Sequence, residues 1–439
     1  MLEGPVWQGL VRFAIPLLLG SIFQQLYNTV DSLIVGNYLG DAALASVTSS
    51  SSLIMLFVDL FVGLFAGAGI LVASTYGGKD RERLSRAIQT TLTLGVAVGI
   101  LLTLAGTLLA PTILHWMQTP EEVMFHSLQY FRIYFSGSLA FIVYNCCTGI
   151  LQNLGDSIHP LRYLIVASAL NIFLDLLFIA GFHWGVGSAA LATILSQGVS
   201  AVLCLIRLYR GQEIYGYDLH KLHIHRESLS QTLRYGVPSS IQNCVVALSN
   251  VVVQSGVNLF DTKAIAGIGA WSKLEGFAVL PILSLSMALS TFAGQNKGAG
   301  NWNRVHKGTS FGIICCAGVS LLISAVLYCA APALVGLFND DPEVVAFGVM
   351  KAHYSAPFFI LLGVSNCIGG ILRGIGKVKT SLFIYLGCWC IMRVILIKAG
   401  LAIAGDIRIV LIAYPITWLM STLIFLWRYK VEIVNPPLI

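Results

Sequence analysis

The chain has 439 residues, is 56% hydrophobic and only 10% charged, and carries a formal net charge of +6 with a mean hydropathy of +0.81. A soluble domain of ordinary composition carries about 25% charged residues, so a water-facing globule is excluded and the chain belongs in lipid. The positive balance falls in short connections between apolar stretches, which marks membrane topology and not a nucleic-acid surface.

A spanning helix needs roughly 20 apolar residues. Stretches of that length fall near 11–35, 46–76, 87–110, 124–150, 161–182, 187–209, 235–258, 265–295, 308–330, 346–371, 381–400 and 409–428. They lack the alternation, in runs of about ten residues, of a membrane barrel. The first begins after Arg12 without a small-residue cleavage site and a mature domain behind it, so no cleavable leader is expected. It carries Pro16, Gln24, Tyr27 and Asp31. A proline inside a helix removes one backbone bond and kinks the axis, so Pro16 is a candidate bend on the Asp31 helix. The second stretch holds Asp59 and leads into Gly77-Gly-Lys-Asp-Arg-Glu-Arg83, a tight turn without the Gly-Lys-Ser/Thr ending of a phosphate loop. The fifth and sixth carry Asn171, Asp175 and Thr193.

Residues 211–233, with His220, His223 and His225, break the apolar pattern. No thiol or carboxylate accompanies these histidines at ligand spacing, so they read as a solvated cytoplasmic linker and no metal site is expected. The eighth stretch holds Lys273 and Glu275, and the eleventh Arg393. All ten cysteines fall inside apolar stretches, which suits small buried residues and not a disulfide framework.

Basic residues crowd alternate connections: Lys79 to Arg86, Arg162, Arg210 to Arg226 (Lys221 among them), Lys297 to Lys307, and Arg373 to Lys379. Acidic residues hold the others, at Asp41, Glu121, Glu122, Asp261, Asp340, Asp341, Glu343 and Asp406. Basic connections stay in the cytoplasm, which puts both termini there.

The chain also repeats itself at a shift of about 221 residues. Arg12-Phe-Ala-Ile-Pro16 meets Arg234-Tyr-Gly-Val-Pro238, Pro111 meets Pro332, and Pro120-Glu121 meets Pro342-Glu343. Asn145-Cys146 through Gly149-Ile-Leu151 to Gly155 meets Asn366-Cys367 through Gly370-Ile-Leu372 to Gly376. An even shift of six helices leaves the halves in one orientation, related by an axis along the membrane normal. The expected fold is all-α: twelve transmembrane helices in two pseudo-symmetric six-helix lobes, an N-lobe over 1–210 and a C-lobe over 234–439.

Several segments resemble the multidrug and toxic compound extrusion (MATE) transporters. They are Leu26-Tyr-Asn-Thr-Val-Asp31 through Gly36, Asn171-Ile-Phe-Leu-Asp175 through Ile179, Gly187-Ser-Ala-Ala-Leu-Ala-Thr193, and Gly294-Gln-Asn-Lys-Gly298 with Arg304. The resemblance implies the fold of the MATE and flippase superfamily. One branch of the family places cation-binding carboxylates on helices seven and ten, but 234–258 and 346–371 contain no Asp or Glu. The DinF-like branch is similar to this chain in carrying Asp31, Asn171, Asp175 and Thr193, which implies an N-lobe cation-coupling site.

An ionisable residue at bilayer depth costs at least about 2.5–3.5 kcal/mol on insertion scales and is a functional candidate by default. At 1.5 Å per residue, Asp31 falls roughly 6 Å, Asp175 roughly 10 Å and Thr193 roughly 9 Å from the outer ends of their stretches, the C-terminal end for the first two and the N-terminal end for Thr193. Two carboxylates close together cannot both stay charged cheaply, so the set is expected to load and release a proton or sodium ion. In the C-lobe, Glu275 and Arg393 share a depth and are expected to pair, with Lys273 competing. Together with Tyr27 and Gln24 they are candidates for substrate contact or gating. Aromatic residues such as Phe23, Tyr27, Phe57, Tyr134, Tyr144, Phe277, Tyr354 and Phe358 have faces that attract organic cations.

The expected function is secondary-active antiport coupled to protons, sodium or both, exporting small organic cationic or amphipathic compounds by alternating access. A flippase for a lipid or a lipid-linked sugar is the alternative, with a membrane receptor or enzyme as the reading from another class. No enzymatic activity and no cofactor are expected. The expected partners are small-molecule substrates and the bilayer of the cell (inner) membrane, with the chain acting as a monomer.

Overall fold

A computed structural model of the protein describes residues 1–116, 121–219 and 222–434, with backbone alone at 41–46, 48–53, 55–56 and 122–123. Pro120, His220, Lys221 and the side chains of Asp41 and Glu122 therefore lie outside the described residues. In lipid the backbone must satisfy its own hydrogen bonds, which leaves helices as the form for long apolar runs.

Ten unbroken stretches and two interrupted ones follow. They are α1 (Val6–Leu39), α2 (Asp41–Gly77), α3 (Arg81–Trp116), α4 (Glu121–Ser136 and Ser138–Leu154), α5 (Ile158–Gly181) and α6 (Gly187–Tyr215). Then come α7 (Arg226–Val257), α8 (Thr262–Gly298), α9 (Trp302–Gly336), α10 (Pro342–Gly374), α11 (Val378–Ala404) and α12 (Ile407–Val434). Eleven are long and apolar enough to cross a membrane, and α4, bent by 49° at its break, makes twelve. α10 is interrupted by a single 3-10 turn, Ala356–Phe358.

The helices overrun the apolar stretches because capped polar turns extend them. Asp261 accepts a bond from the Ala264 backbone (2.7 Å), Asp341 from Glu343 (2.9 Å) and Asp406 from Arg408 (2.9 Å). Three of the acidic residues in these connections, Asp261, Asp341 and Asp406, are thus also helix N-caps. Helix extends into both ends of residues 211–233. α6 continues to Tyr215 and α7 starts at Arg226, with the capping residue Gly216 at positive φ. The repeat is geometric as well as sequential, since Gly155 and Gly376, which follow α4 and α10, take φ values of 99° and 83°.

The chain forms two compact units. One is Leu19–Ser240, and the other joins Met1–Leu18 to Ile241–Ile439. Each helix that passes between units does so two residues after a repeat-related proline, α1 after Pro16 and α7 after Pro238.

In the first unit, α2 presents Gly63 and Gly67 one turn apart to the opening turns of α7. A Cβ at Gly67 would collide with the Gly236 backbone, and Ser240 Oγ donates to the Leu60 carbonyl (2.5 Å). The unit also holds the linker: Gln89 Nε2 donates to the Asp218 carbonyl (2.7 Å) and the His225 backbone to Thr90 Oγ1 (3.1 Å). Beside the α4–α5 connection, buried Asp156 accepts from Arg207 Nη2 (2.9 Å) and Tyr215 Oη (3.3 Å), with His159 Nδ1 at 2.8 Å.

The second unit repeats the small-residue contact. Gly370 and Gly374 of α10 meet the backbone of α8 at Ser286 and Ser290, where a Cβ on either glycine would clash. Such small-residue faces are how membrane helices reach van der Waals contact. Phe292, Phe359, Tyr385 and Phe425 fill the core between them. Arg304 binds the carbonyls of Gly4 (2.9 Å) and Met1 (3.2 Å) and also Asn296 Oδ1 (3.0 Å). The Gln-Asn-Lys-Gly segment with Arg304 thereby clamps the N-terminal segment to its own unit.

Candidate functional site

The expected N-lobe set assembles within the first unit. α1 continues to Leu39, eight residues past Asp31, which places the carboxyl about 12 Å from that helix end, deeper than the apolar stretch indicated. Asp175 precedes the end of α5 by six residues and Thr193 follows the start of α6 by six, about 9 Å each. Asn171 and Asp175 share a face of α5 as an i, i+4 pair. A π-helical turn, Leu176–Gly181, begins directly after Asp175. Such turns appear often at functional positions because they rotate a side chain out of regular register.

Asn171 and Asp175 are buried, at 1% and 0% exposure, and Asp31 is half-buried. The Asp31 and Asp175 carboxyls are in hydrogen-bonding reach of each other. Hydrogen-bond complementarity assigns the Asn171 amide. Its nitrogen donates to Asp175 Oδ2 (3.0 Å) and its oxygen accepts from the Thr193 backbone N–H (3.3 Å). The Thr193 hydroxyl donates to the Ala189 carbonyl (3.0 Å), and the Tyr27 hydroxyl bonds to Thr193. Asn171 therefore presents a donor, and not its oxygen, to the carboxyl pair. Oδ1 of Asp31 and Oδ1 of Asp175 are buried without a hydrogen-bond partner among the described residues. Two carboxyl groups in contact, each with an unused oxygen, need a proton or another cation between them.

Gln24 and Tyr27 lie on the Asp31 face of α1, at i, i+3 and i+7, with Gln24 half-buried. Tyr130 and Tyr134 of α4 stack at 6.2 Å and stand within electrostatic range of Asp31. Tyr130 went unrecognised in the sequence because an aromatic residue in an apolar run carries no mark of what it faces.

The second unit differs from expectation. Glu275 pairs with Lys351, not Arg393: Lys351 Nζ stands 3.3 Å from Glu275 Oε2 and donates to Ser272 Oγ (2.6 Å). Arg393 instead donates to Thr417 Oγ1 from Nη2 (2.9 Å) and Nε (3.3 Å), and to Ser249 Oγ from Nη1 (3.2 Å). Equal depth fixes a level, and rotation about the helix axis then decides which side chain arrives there. Lys273 is exposed, with Nζ 6.0 Å from the Phe338 ring centroid. Lys351 had a signal in the sequence, as a lysine nine residues into α10. It was passed over there, because a lysine within an apolar run carries no mark of which way it turns; it is 4% exposed and turned inward.

Twelve apolar spans, a duplicated six-helix plan and a buried carboxyl set define an integral membrane protein of the two-repeat type. A family model described as MatE matches the chain twice, over residues 16–177 and 238–397, each match opening on one of the paired prolines. These matches take in more than half of the sequence, and the chain belongs to the MatE family. A Bacillus subtilis (strain 168) protein described as probable multidrug resistance protein YpnP is 30% identical over 391 residues, 89% of this chain and 87% of its own. A Thermotoga maritima protein described as probable multidrug resistance protein NorM is 24% identical over 388 residues, 87% of this chain and 82% of its own. A crystal structure described as MATE in the bent conformation superposes with a TM-score of 0.90 at 24% identity, covering 97% of this chain and 95% of that one. One described as the straight conformation gives 0.91 at 23% identity, covering 99% and 98%. At that identity they show the fold.

Proposed function

We propose that this protein is a multidrug-type efflux antiporter, in which inward movement of a cation through the first unit drives export of small organic amphipathic compounds by alternating access. The observation that carries the reading is the Asp31–Asp175 pair: two carboxyl groups in contact at bilayer depth, each with a buried, unused oxygen. A static packing role would leave those oxygens satisfied.

The coupling ion in this reading is a proton. Asn171 turns its N–H toward Asp175 and its oxygen toward the Thr193 backbone N–H, so in this arrangement the amide offers the carboxyl pair a donor and no oxygen for sodium. Loading and unloading change the charge between α1 and α5, and Pro16 and Pro238 are where α1 and α7 can bend in response. Residues 1–210 and 234–439 act as the two lobes, joined by 211–233. The chain sits in the cell membrane with both termini cytoplasmic and works as a monomer.

The test is dye movement in reconstituted vesicles under separately imposed proton and sodium gradients. The proton gradient should drive transport, and Asp31→Asn should lower it at least tenfold. Driving by sodium alone would overturn the proton assignment, and an Asp31→Asn variant as active as wild type would overturn the coupling site. Movement of labelled lipid with no movement of dye would favour the flippase alternative.

A further inference from the structure

We propose that the second unit contains a recognition subsite for an acidic group on the transported compound, a carboxylate or another singly charged oxyanion, read by Arg393 and Lys351. The proposal rests on the transport reading only in taking the ligand as cargo.

The carrying observation is a charge imbalance inside one unit. Lys351 and Arg393 are buried, at 4% and 2% exposure. One carboxylate, Glu275, serves both, and it lies against Lys351. Among the described residues no carboxylate comes within 4.0 Å of Arg393, whose partners are the neutral hydroxyls of Thr417 and Ser249. These bonds occupy three of the five N–H groups of a guanidinium. The two cations also share a surface: Arg393 Cζ stands 4.6 Å and Lys351 Nζ 5.6 Å from the centroid of the Tyr414 ring. Trp389 adds a second ring face, 5.6 Å from Arg393 Cζ.

Fixing α7, α11 and α12 to one another does not require that charge. A neutral amide at position 393 could donate to Thr417 and Ser249 as well, without the cost of a buried cation. An uncompensated guanidinium among aromatic rings is instead what a carboxylate on an aromatic or amphipathic compound would complete, through charge-assisted bonds in a dry site. The site has an open flank, because Ser272, which accepts from Lys351, is exposed and Glu275 is partly exposed. An arriving acid would compete with Glu275 for Lys351 and take the free N–H groups of Arg393. This adds an acidic group to the cationic or amphipathic cargo that the sequence suggested.

The experiment compares rhodamine B, which carries a free carboxylate, with its ethyl ester, which is a pure cation. Binding of each to purified wild-type protein is followed by fluorescence polarisation. Wild type should bind the acid at least tenfold more tightly than the ester, and Arg393→Gln should weaken the acid at least tenfold more than the ester. If Arg393→Gln does not elute as a monodisperse species, Lys351→Met is held to the same criterion. Equal affinities in wild type, no saturable binding of the acid, or parallel losses for both dyes in a folded variant would overturn the subsite. Vesicles that move no dye, with the acid preference intact, would sink the transport reading and leave the subsite standing. Gradient-driven transport without any acid preference would do the reverse.

Discussion

Replacing Glu275 by glutamine should destabilise the protein far more than replacing Lys351 by methionine, although the two residues form one ion pair. The pair is 3.3 Å long, with side-chain exposures of 15% and 5%, so solvent screens it little. Arg393 lies close enough to feel the Glu275 charge. Glu275→Gln leaves two buried cations and no anion. Removing one partner of a buried pair costs about 3–5 kcal/mol, and the second cation places this substitution at the upper end. Lys351→Met leaves Glu275 facing Arg393 with the charges summing to zero. Its loss is then chiefly the hydrogen bond to Ser272 and part of the pair, about 1–2 kcal/mol. The double variant leaves Arg393 alone, as much in excess as it is now, so it should resemble Lys351→Met and the two single losses should fail to add by about the whole Glu275→Gln loss, about 3–5 kcal/mol. Thermal unfolding in detergent, followed by tryptophan fluorescence with size exclusion as a check on folding, reads all four proteins. A Lys351→Met variant as unstable as Glu275→Gln, or a double variant showing the full sum, would refute the charge accounting.

Three further outcomes are expected. Hydrogen bonds from His159 and Arg207 outweigh the effect of burial and hold the Asp156 carboxyl below the usual range. With the folded value depressed, its stabilisation is complete above the ordinary carboxylate value of about 4 and disappears as pH falls through the folded value. Asp156→Asn should therefore cost about 1–3 kcal/mol at pH 7 and progressively less in acid, read from paired unfolding curves. Arg304→Ala should free residues 1–5 without unfolding the second unit, seen as faster amide exchange and proteolysis confined to that segment; unchanged protection there would show that the clamp does not hold it. Gly374→Leu forces a side chain into the Ser290 backbone and should cost about 3 kcal/mol or more, whereas Gly387→Ala, with nothing within 4 Å of its added carbon, should be neutral; equal losses would remove the close-contact explanation.

What the sequence discloses and what it hides follow from the physics of each signal. Lipid forces every span to be apolar and to bond its own backbone, so spans and repeat are legible in the chain itself. The family model beginning at Pro16 and again at Pro238 retraces the same duplication. The exchange of leading segments between the units is not legible, because Met1–Leu18 looks like the start of the first repeat whichever unit it packs on. The arginine clamp that ties this segment down could not be seen as a contact either, because its acceptors are main-chain carbonyls, which carry no sequence identity.

The two charged sites separate along the same line. Asp31, Asn171, Asp175 and Thr193 could be grouped because depth along a helix can be counted and two of them lie i, i+4 on one face. The partner of Glu275 could not, because depth gives a level within the bilayer and leaves the rotation of each helix open. Level alone pointed to Arg393, with Lys273 competing, and packing selected Lys351. The charge sum survives that ambiguity. Whichever cation Glu275 takes, Lys351 and Arg393 are both buried and one acid cannot neutralise two bases. The excess positive charge is therefore more robust than any single contact in the site. A ligand supplying the missing negative charge would gain from that excess in any pairing the side chains adopt, so the subsite depends on the count of buried charges and not on which partner Glu275 holds.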